Sequence, residues 1–191
     1  MLKAILAYRY ASRHFFYLLN IHMYYQPQEM LTRKQCNHIL KRLRRAKWTR
    51  GWTRSGVAEW RTDSVAWFEA EQYGKMLYHW RRFLVSTPEL PVDWIQTPYQ
   101  VSRFEPGNLH EWHRHDHGDR SENLSSNSAS LVCCLQTAEG ARTESESASF
   151  DLPAGWGIVF PAVDRIQHTA PVSGTRILIT VWGMRYNPRP R

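Results

Sequence analysis

Cysteine is scarce in this chain and badly spaced for cross-linking. Its three cysteines are Cys36, Cys133 and Cys134. Neighbours in a strand project to opposite sides, so Cys133 and Cys134 are not a disulfide pair. An odd count without framework spacing fits a reducing compartment, and the predicted location is cytoplasmic. Acidic residues are also in deficit, with 17 Asp and Glu against 25 Lys and Arg and a net charge of +8. None falls within the first 28 residues. Much of the excess sits in Lys41-Arg42 with Arg44-Arg45, in 47–54, and in 185–191. No nucleic-acid motif accompanies it, so the charge reads as a solvated surface. Long apolar runs are missing too. Arg9, Arg13 and His14 interrupt the most apolar stretch, which excludes a spanning helix there. Residues 1–23 read as an N-terminal extension, a helix packed on the domain, with an interfacial role at a membrane surface as the alternative. No internal repeat is visible.

Apolar and aromatic residues are plentiful. Hydrophobic types make up 42% of 191 residues, with nine Trp and nine Tyr, which suits one soluble domain with a large core. Thr32-Arg33-Lys34-Gln35 is a capping box. Cys36, Ile39, Leu40 and Leu43 follow at helical spacing, predicting a helix that ends near 45–47. Residues 47–56 read as irregular and 65–68 as a short helical or extended piece. Tyr73–Leu84 reads as a second helix. Beyond Tyr99 the pattern turns to strands. Those expected are 99–104, a less regular 109–115, 128–136, 156–160, a short 165–168 and the apolar 177–182. Turns fall at Glu105-Pro106-Gly107-Asn108 and Pro153-Ala154-Gly155. The stretch 138–149 reads as a loop with at most a weak edge strand. Helices followed by at least six short strands predict an α+β fold closing into a sandwich or barrel.

The chemistry-bearing residues concentrate in two places. One is Trp112-His113-Arg114-His115-Asp116-His117-Gly118-Asp119, and the other is His168 with Arg176 eight positions later. In a strand, His113 and His115 share a face, so both imidazoles can serve one ion. His168 could close a third corner. Imidazole and carboxylate ligands suit Fe(II), Zn(II) and similar ions. Asp116, His117 and Asp119 compete for the carboxylate position. Trp48, Trp52, Trp60 and Trp67, with Arg50, Arg54 and Arg61, read mainly as packing of N-terminal helices on the sheet.

From Tyr99 onward the chain resembles the Fe(II)- and 2-oxoglutarate-dependent dioxygenases, specifically the prolyl 4-hydroxylase-like group. Phe104-Glu105-Pro106-Gly107 looks like the family's turn, and His113, six after Gly107, matches its first metal ligand. Residues 152–161 resemble the segment leading to the distal ligand. His168, Pro171-Val172, Gly174, Arg176 and Trp182 complete the match. Upstream the fit is looser, with the Thr32 helix and Trp60-Arg61-Thr62-Asp63-Ser64. The resemblance spans residues 24–187. It implies a double-stranded β-helix (jelly-roll) core flanked by N-terminal helices. It also implies Fe(II) and 2-oxoglutarate as cofactors, ascorbate as reductant, and hydroxylation with release of succinate and CO2. The substrate would be a peptide or small molecule, peptidyl proline among the candidates. Arg176 would grip the distal carboxylate of 2-oxoglutarate as a bidentate pair, assisted by Tyr99 and Thr180. The family's spacing puts a carboxylate at 115, where this chain has His115. Either Asp116 takes that role through a bulge, or the ligands are His113, His115 and His168. Two further alternatives follow: a jelly-roll binding module without metal, and a cupin-type three-histidine metal protein.

Overall fold

The computed structural model describes residues 26–51, 61–68, 94–95, 99–115 and 125–186, with only the backbone of 94–95, 125–128 and 184–186. The expected helix at 73–84 and the N-terminal extension lie outside them. One helix stands among the described residues, so the expected flanking set of N-terminal helices is not borne out there. It is α1, Arg33–Leu43. Thr32 caps it: its hydroxyl accepts from the Gln35 amide, and the Gln35 side chain accepts from the Thr32 amide. The helix stops at Leu43, short of the expected 45–47, because Arg45 and Ala46 amides turn back onto Arg42 and Leu43 carbonyls.

Eight strands form the major sheet. In spatial order they are β1 (Gln28–Glu29), β10 (Trp156–Pro161), β7 (Ser125–Gln136), β12 (Arg176–Tyr186), β5 (Tyr99–Phe104), β3 (Ser64–Phe68) and β2 (Thr49–Arg50). The eighth, β4 (Trp94–Ile95), pairs with the end of β12. Four strands form the minor sheet, in the order β6 (His110–His113), β11 (Ile166–His168), β8 (Thr143–Ser145) and β9 (Ser149–Phe150). All pairs are antiparallel. Residues 65–68 are thus strand, and the stretch read as a loop at 138–149 contains two short strands.

Period-two alternation divides the core. Ile177, Ile179 and Val181 point to one face of β12, where they meet Val101, Leu131, Cys133 and the helix residues Cys36, Ile39 and Leu43. Leu178 points to the other, with Phe104, Val132, Cys134, Ile158, Phe160 and, from the minor sheet, Ile166. Cys133 and Cys134 therefore face opposite ways, as their adjacency requires, and all three cysteines are free. Burying each aliphatic side chain of α1 contributes about 1.5–3 kcal/mol, so the helix is held mainly by docking on the sheet. Gly155 marks the closest approach. Its φ is 91°, and a Cβ there would overlap the Leu31 carbonyl oxygen. The functional groups lie on the second face, between the two sheets. None of the described helices is long and apolar enough to cross a membrane.

Candidate metal and carboxylate site

Strand β6 carries a bulge. Ile166 pairs with His113 and His168 with His110, so three steps along β6 oppose two along β11. Glu111 and Trp112 both turn outward, while His110 and His113 both turn in. Strict alternation would have separated them. His115 lies just beyond the strand and is also buried, its amide bonded to the Ala162 carbonyl. With His168 from β11, four buried imidazoles converge.

Their geometry is specific. The His113 ring donates from Nδ1 to the Glu111 carbonyl at 2.7 Å, which leaves the Nε2 lone pair available. That Nε2 lies 2.9 Å from Nε2 of His115. Two nitrogens at right angles around an ion, each with a bond of about 2.1 Å, lie roughly 3 Å apart, so this spacing fits one metal. Ligand nitrogens of His110, His113 and His168 lie within 4.8 Å of one another. His110 stacks on His113 at 3.5 Å, nearly parallel at 5°. Parallel rings hold their lone pairs side by side, so a shared ion requires one ring to tilt. Trp182 closes the cluster edge-on to His115 at 5.8 Å. Burial, then the neighbouring imidazoles and cations, hold His110 and His168 well below the ordinary imidazole range. Both are neutral near pH 7, the form that ligates metals.

Arg176 sits deeper. It is 1% exposed, and among the described residues no carboxylate pairs with it. Its Nη2 donates to Thr143 Oγ1 at 3.0 Å, and the Cys134 thiol is an electrostatic neighbour. Burial pushes that thiol up to about 11, so it remains protonated. Among the described residues, the buried Nη1 has no hydrogen-bond partner. A buried guanidinium lacking an anion and holding an unused donor is costly unless an acid completes it. Thr143 also contacts Nδ1 of His168 at 3.1 Å, linking the two halves of the site.

A second buried charge flanks the histidines. Arg61 Nε and Nη2 hold the two oxygens of Asp63 at 2.7 and 3.0 Å, and Nη2 also reaches Ser102 Oγ at 3.3 Å. The Gln100 carbonyl oxygen, in its satisfied orientation, accepts from the same guanidinium. Arg61 forms a backbone bridge to His110.

The structure thus groups His113 and His168 with His110, sets His115 beside His113, and puts Arg176 behind them. Asp116, His117 and Asp119 lie outside the described residues. Tyr99 is not brought to Arg176. Strand β12 pairs Arg176 with Phe104 and Thr180 with Gln100, so Tyr99 points to the opposite face and packs in the helix-side core. Thr180 shares the face of Arg176, four residues and about 13 Å along the strand. Three site residues escape a sequence reading. His110 is hidden by the bulge, Thr143 by a polar strand that resembles loop, and Asp63 by a partner whose other contacts are distant in sequence. Of the aromatic and basic group, Trp48 packs under Arg103 at 4.7 Å and Trp67 lies half-exposed beside Trp182; Trp52 and Trp60 lie outside the described residues.

No family model and no curated protein matches the chain. Solved structures do match. A viral collagen prolyl hydroxylase from Paramecium bursaria Chlorella virus-1, in its 2OG complex, aligns with a TM-score of 0.66 at 19% identity, over 85% of this chain and 96% of that one. A Pseudomonas putida prolyl-4-hydroxylase aligns at 0.65 and 16% identity, over 84% and 92%. A Trichoplax adhaerens prolyl hydroxylase, bound to a hypoxia inducible factor oxygen degradation domain peptide fragment, aligns at 0.56 and 14% identity, over 77% and 74%. The two-sheet, jelly-roll-like architecture of this chain is the fold of the 2-oxoglutarate/Fe(II) oxygenases, in its prolyl 4-hydroxylase-like form.

Proposed function

We propose that the protein is an Fe(II)- and 2-oxoglutarate-dependent dioxygenase that hydroxylates a peptide side chain or small molecule. One observation carries the reading: Arg176 is a buried cation with an unused donor, one hydroxyl away from a histidine cluster that fits a metal. An acid that reaches both is a short keto dicarboxylate. His113 and His168 would hold the metal, and the third position falls to His115 or Asp116. Arg176 would take the far carboxylate, with Thr143 and Cys134 at its sides. Thr180 is a further candidate for the wall of that pocket. Together, bound Fe(II) and 2-oxoglutarate would supply O2 activation coupled to decarboxylation, giving succinate, CO2 and a hydroxylated substrate, with ascorbate keeping the iron reduced. Trp182, beside His115, and Phe104, beside His168, would form walls of this site. The likeness to two prolyl hydroxylases and a peptide complex makes peptidyl proline the first substrate to try.

The experiment is anaerobic calorimetry. Metal-loaded protein should bind 2-oxoglutarate; Arg176→Ala should weaken that on the order of a hundredfold while metal still binds, and His168→Ala should abolish metal binding. Equal 2-oxoglutarate affinity in Arg176→Ala would refute the reading. A second reading has support from the all-imidazole cluster: a cupin-type three-histidine metal protein that uses no 2-oxoglutarate. It requires Arg176→Ala to leave activity intact.

A further inference from the structure

We infer that the outer face of α1 is an electrostatic docking surface for a membrane rich in anionic lipid. The inference stands apart from the chemistry between the sheets.

Sequence alone reads these cations as solvated surface, and the seating of the helix changes that reading. Cys36, Ile39 and Leu43 form the stripe that docks on the major sheet. With about 3.6 residues per turn, Lys34 and Lys41 fall directly opposite that stripe, flanked by Arg33, Arg42 and Arg44. All five are exposed. The helix therefore lies flat on the protein and turns a cationic strip about 16 Å long straight outward.

The charge pattern does not serve the fold. No Asp or Glu occurs from residue 30 to residue 58. Among the described residues, no carboxylate pairs with Arg33, Lys34, Lys41, Arg44 or Arg45. A face that only confers solubility intersperses both signs. Cations at the end of a helix favour its dipole, which accounts for Lys41 and Arg42. Arg33 and Lys34 stand in the first turn, where the dipole is positive and no acid accompanies them, so they cost stability. Lys41 also repels Arg44, three residues on. An external anion compensates what the fold leaves uncompensated.

The occupant follows from shape and chain. A flat anionic surface meets an outward strip at all points together. Reading a nucleic acid takes a recognition motif, and none is present. The first 28 residues, which precede α1 in the chain, contain no acid. They set Leu2, Ile5, Phe15 and Phe16 among Lys3 and Arg9. Apolar and basic signals in combination are what stable membrane attachment requires. The helix packs on the sheet face opposite Arg176 and the histidines, so docking leaves that site in place.

The test is co-sedimentation of the full chain with vesicles of phosphatidylcholine, alone or with a third of phosphatidylserine. Wild type should sediment with the anionic vesicles and not with the neutral ones. Raising NaCl from about 0.1 M to about 1 M shortens the screening length from about 10 Å to about 3 Å and should weaken binding at least tenfold. Each basic residue at such a surface strengthens binding roughly fivefold, so Arg33→Gln, Lys34→Gln and Lys41→Gln together should weaken it on the order of a hundredfold. Arg33→Glu with Lys34→Glu should abolish binding and raise the melting temperature, because acids in the first turn favour the helix. That rise separates lost docking from lost folding, and a fall would refute the argument from the first turn. Equal binding to both vesicle types, or no binding to either, would overturn the proposal. So would unchanged binding in the triple Gln variant, which would place attachment in residues 1–28. Tighter binding by wild type to duplex DNA or single-stranded RNA than to anionic vesicles would replace the membrane with a nucleic acid and overturn it as well.

Discussion

Asp63→Ala should be among the most damaging single substitutions in the described chain. Asp63 is 0% exposed, and both of its oxygens are held by Arg61, itself buried. Removing the carboxylate strands a guanidinium away from water. Breaking a buried pair from one side costs about 3–5 kcal/mol. Ser102 and Gln100 keep some contact with Arg61 but carry no charge to replace the one lost. Against a total stability of about 5–15 kcal/mol, that loss is a large fraction. With an m-value of about 1–3 kcal/mol/M, the urea midpoint should fall by roughly 1–5 M. Gly51→Ala attacks the same pair from outside, because a Cβ there would stand 2.5 Å from both Arg61 Nε and Asp63 Oδ1. It should lower the midpoint in the same direction. Replacing both partners, Arg61→Met with Asp63→Leu, should recover most of the loss, since no charge is left buried. Recovery should be incomplete, because Ser102 and Gln100 lose their donor. A loss below about 1 kcal/mol in Asp63→Ala would refute the reasoning, placing the pair in the class of solvated surface bridges. Because Arg61 bridges to His110, the same variant should also loosen the histidine cluster.

Two other outcomes are expected. Metal-free protein should lose stability in acid. Burial first, then neighbouring charges, depress His110 and His168, so the unfolded chain takes up protons at about pH 6.5 that the folded one refuses. Stability is full above that pH and falls below it, by about 2.7 kcal/mol per pH unit for two such groups, until the folded-state values are reached. Urea midpoints from pH 8 to 5 check this, and a flat profile would contradict it. Thr32→Ala removes the cap of α1 and should cost about 1 kcal/mol, read as a lowered melting temperature; an unchanged melting temperature would mean that tertiary docking alone fixes the helix start.

What the sequence revealed was whatever depends on local pattern. Strand β5 is found where 99–104 alternates, and Ile177–Trp182 lies within β12, because buried strands announce themselves as apolar runs. The Thr32–Gln35 box marks a real helix start because both halves of a capping box are only three residues apart. Elements with weak local signals were lost. Thr143–Ser145 is a polar Thr-Glu-Ser stretch whose inward residues are a threonine and a serine, so nothing apolar betrayed a strand. His110 needed the bulge, which is visible only against β11. Tyr99 was placed at the co-substrate by resemblance, and one step of register puts it on the other face. Arg176 is readable from its place before an apolar strand, but not that no carboxylate among the described residues pairs with it.

The most direct test of the central claim is 2-oxoglutarate turnover: succinate formed by purified protein with Fe(II), ascorbate and O2, with wild type beside Arg176→Ala and His168→Ala. The account requires succinate from wild type, even without a hydroxylation substrate at a slow rate, and none from either variant. Metal-loaded wild type that forms no succinate, with or without candidate proline peptides, would contradict it.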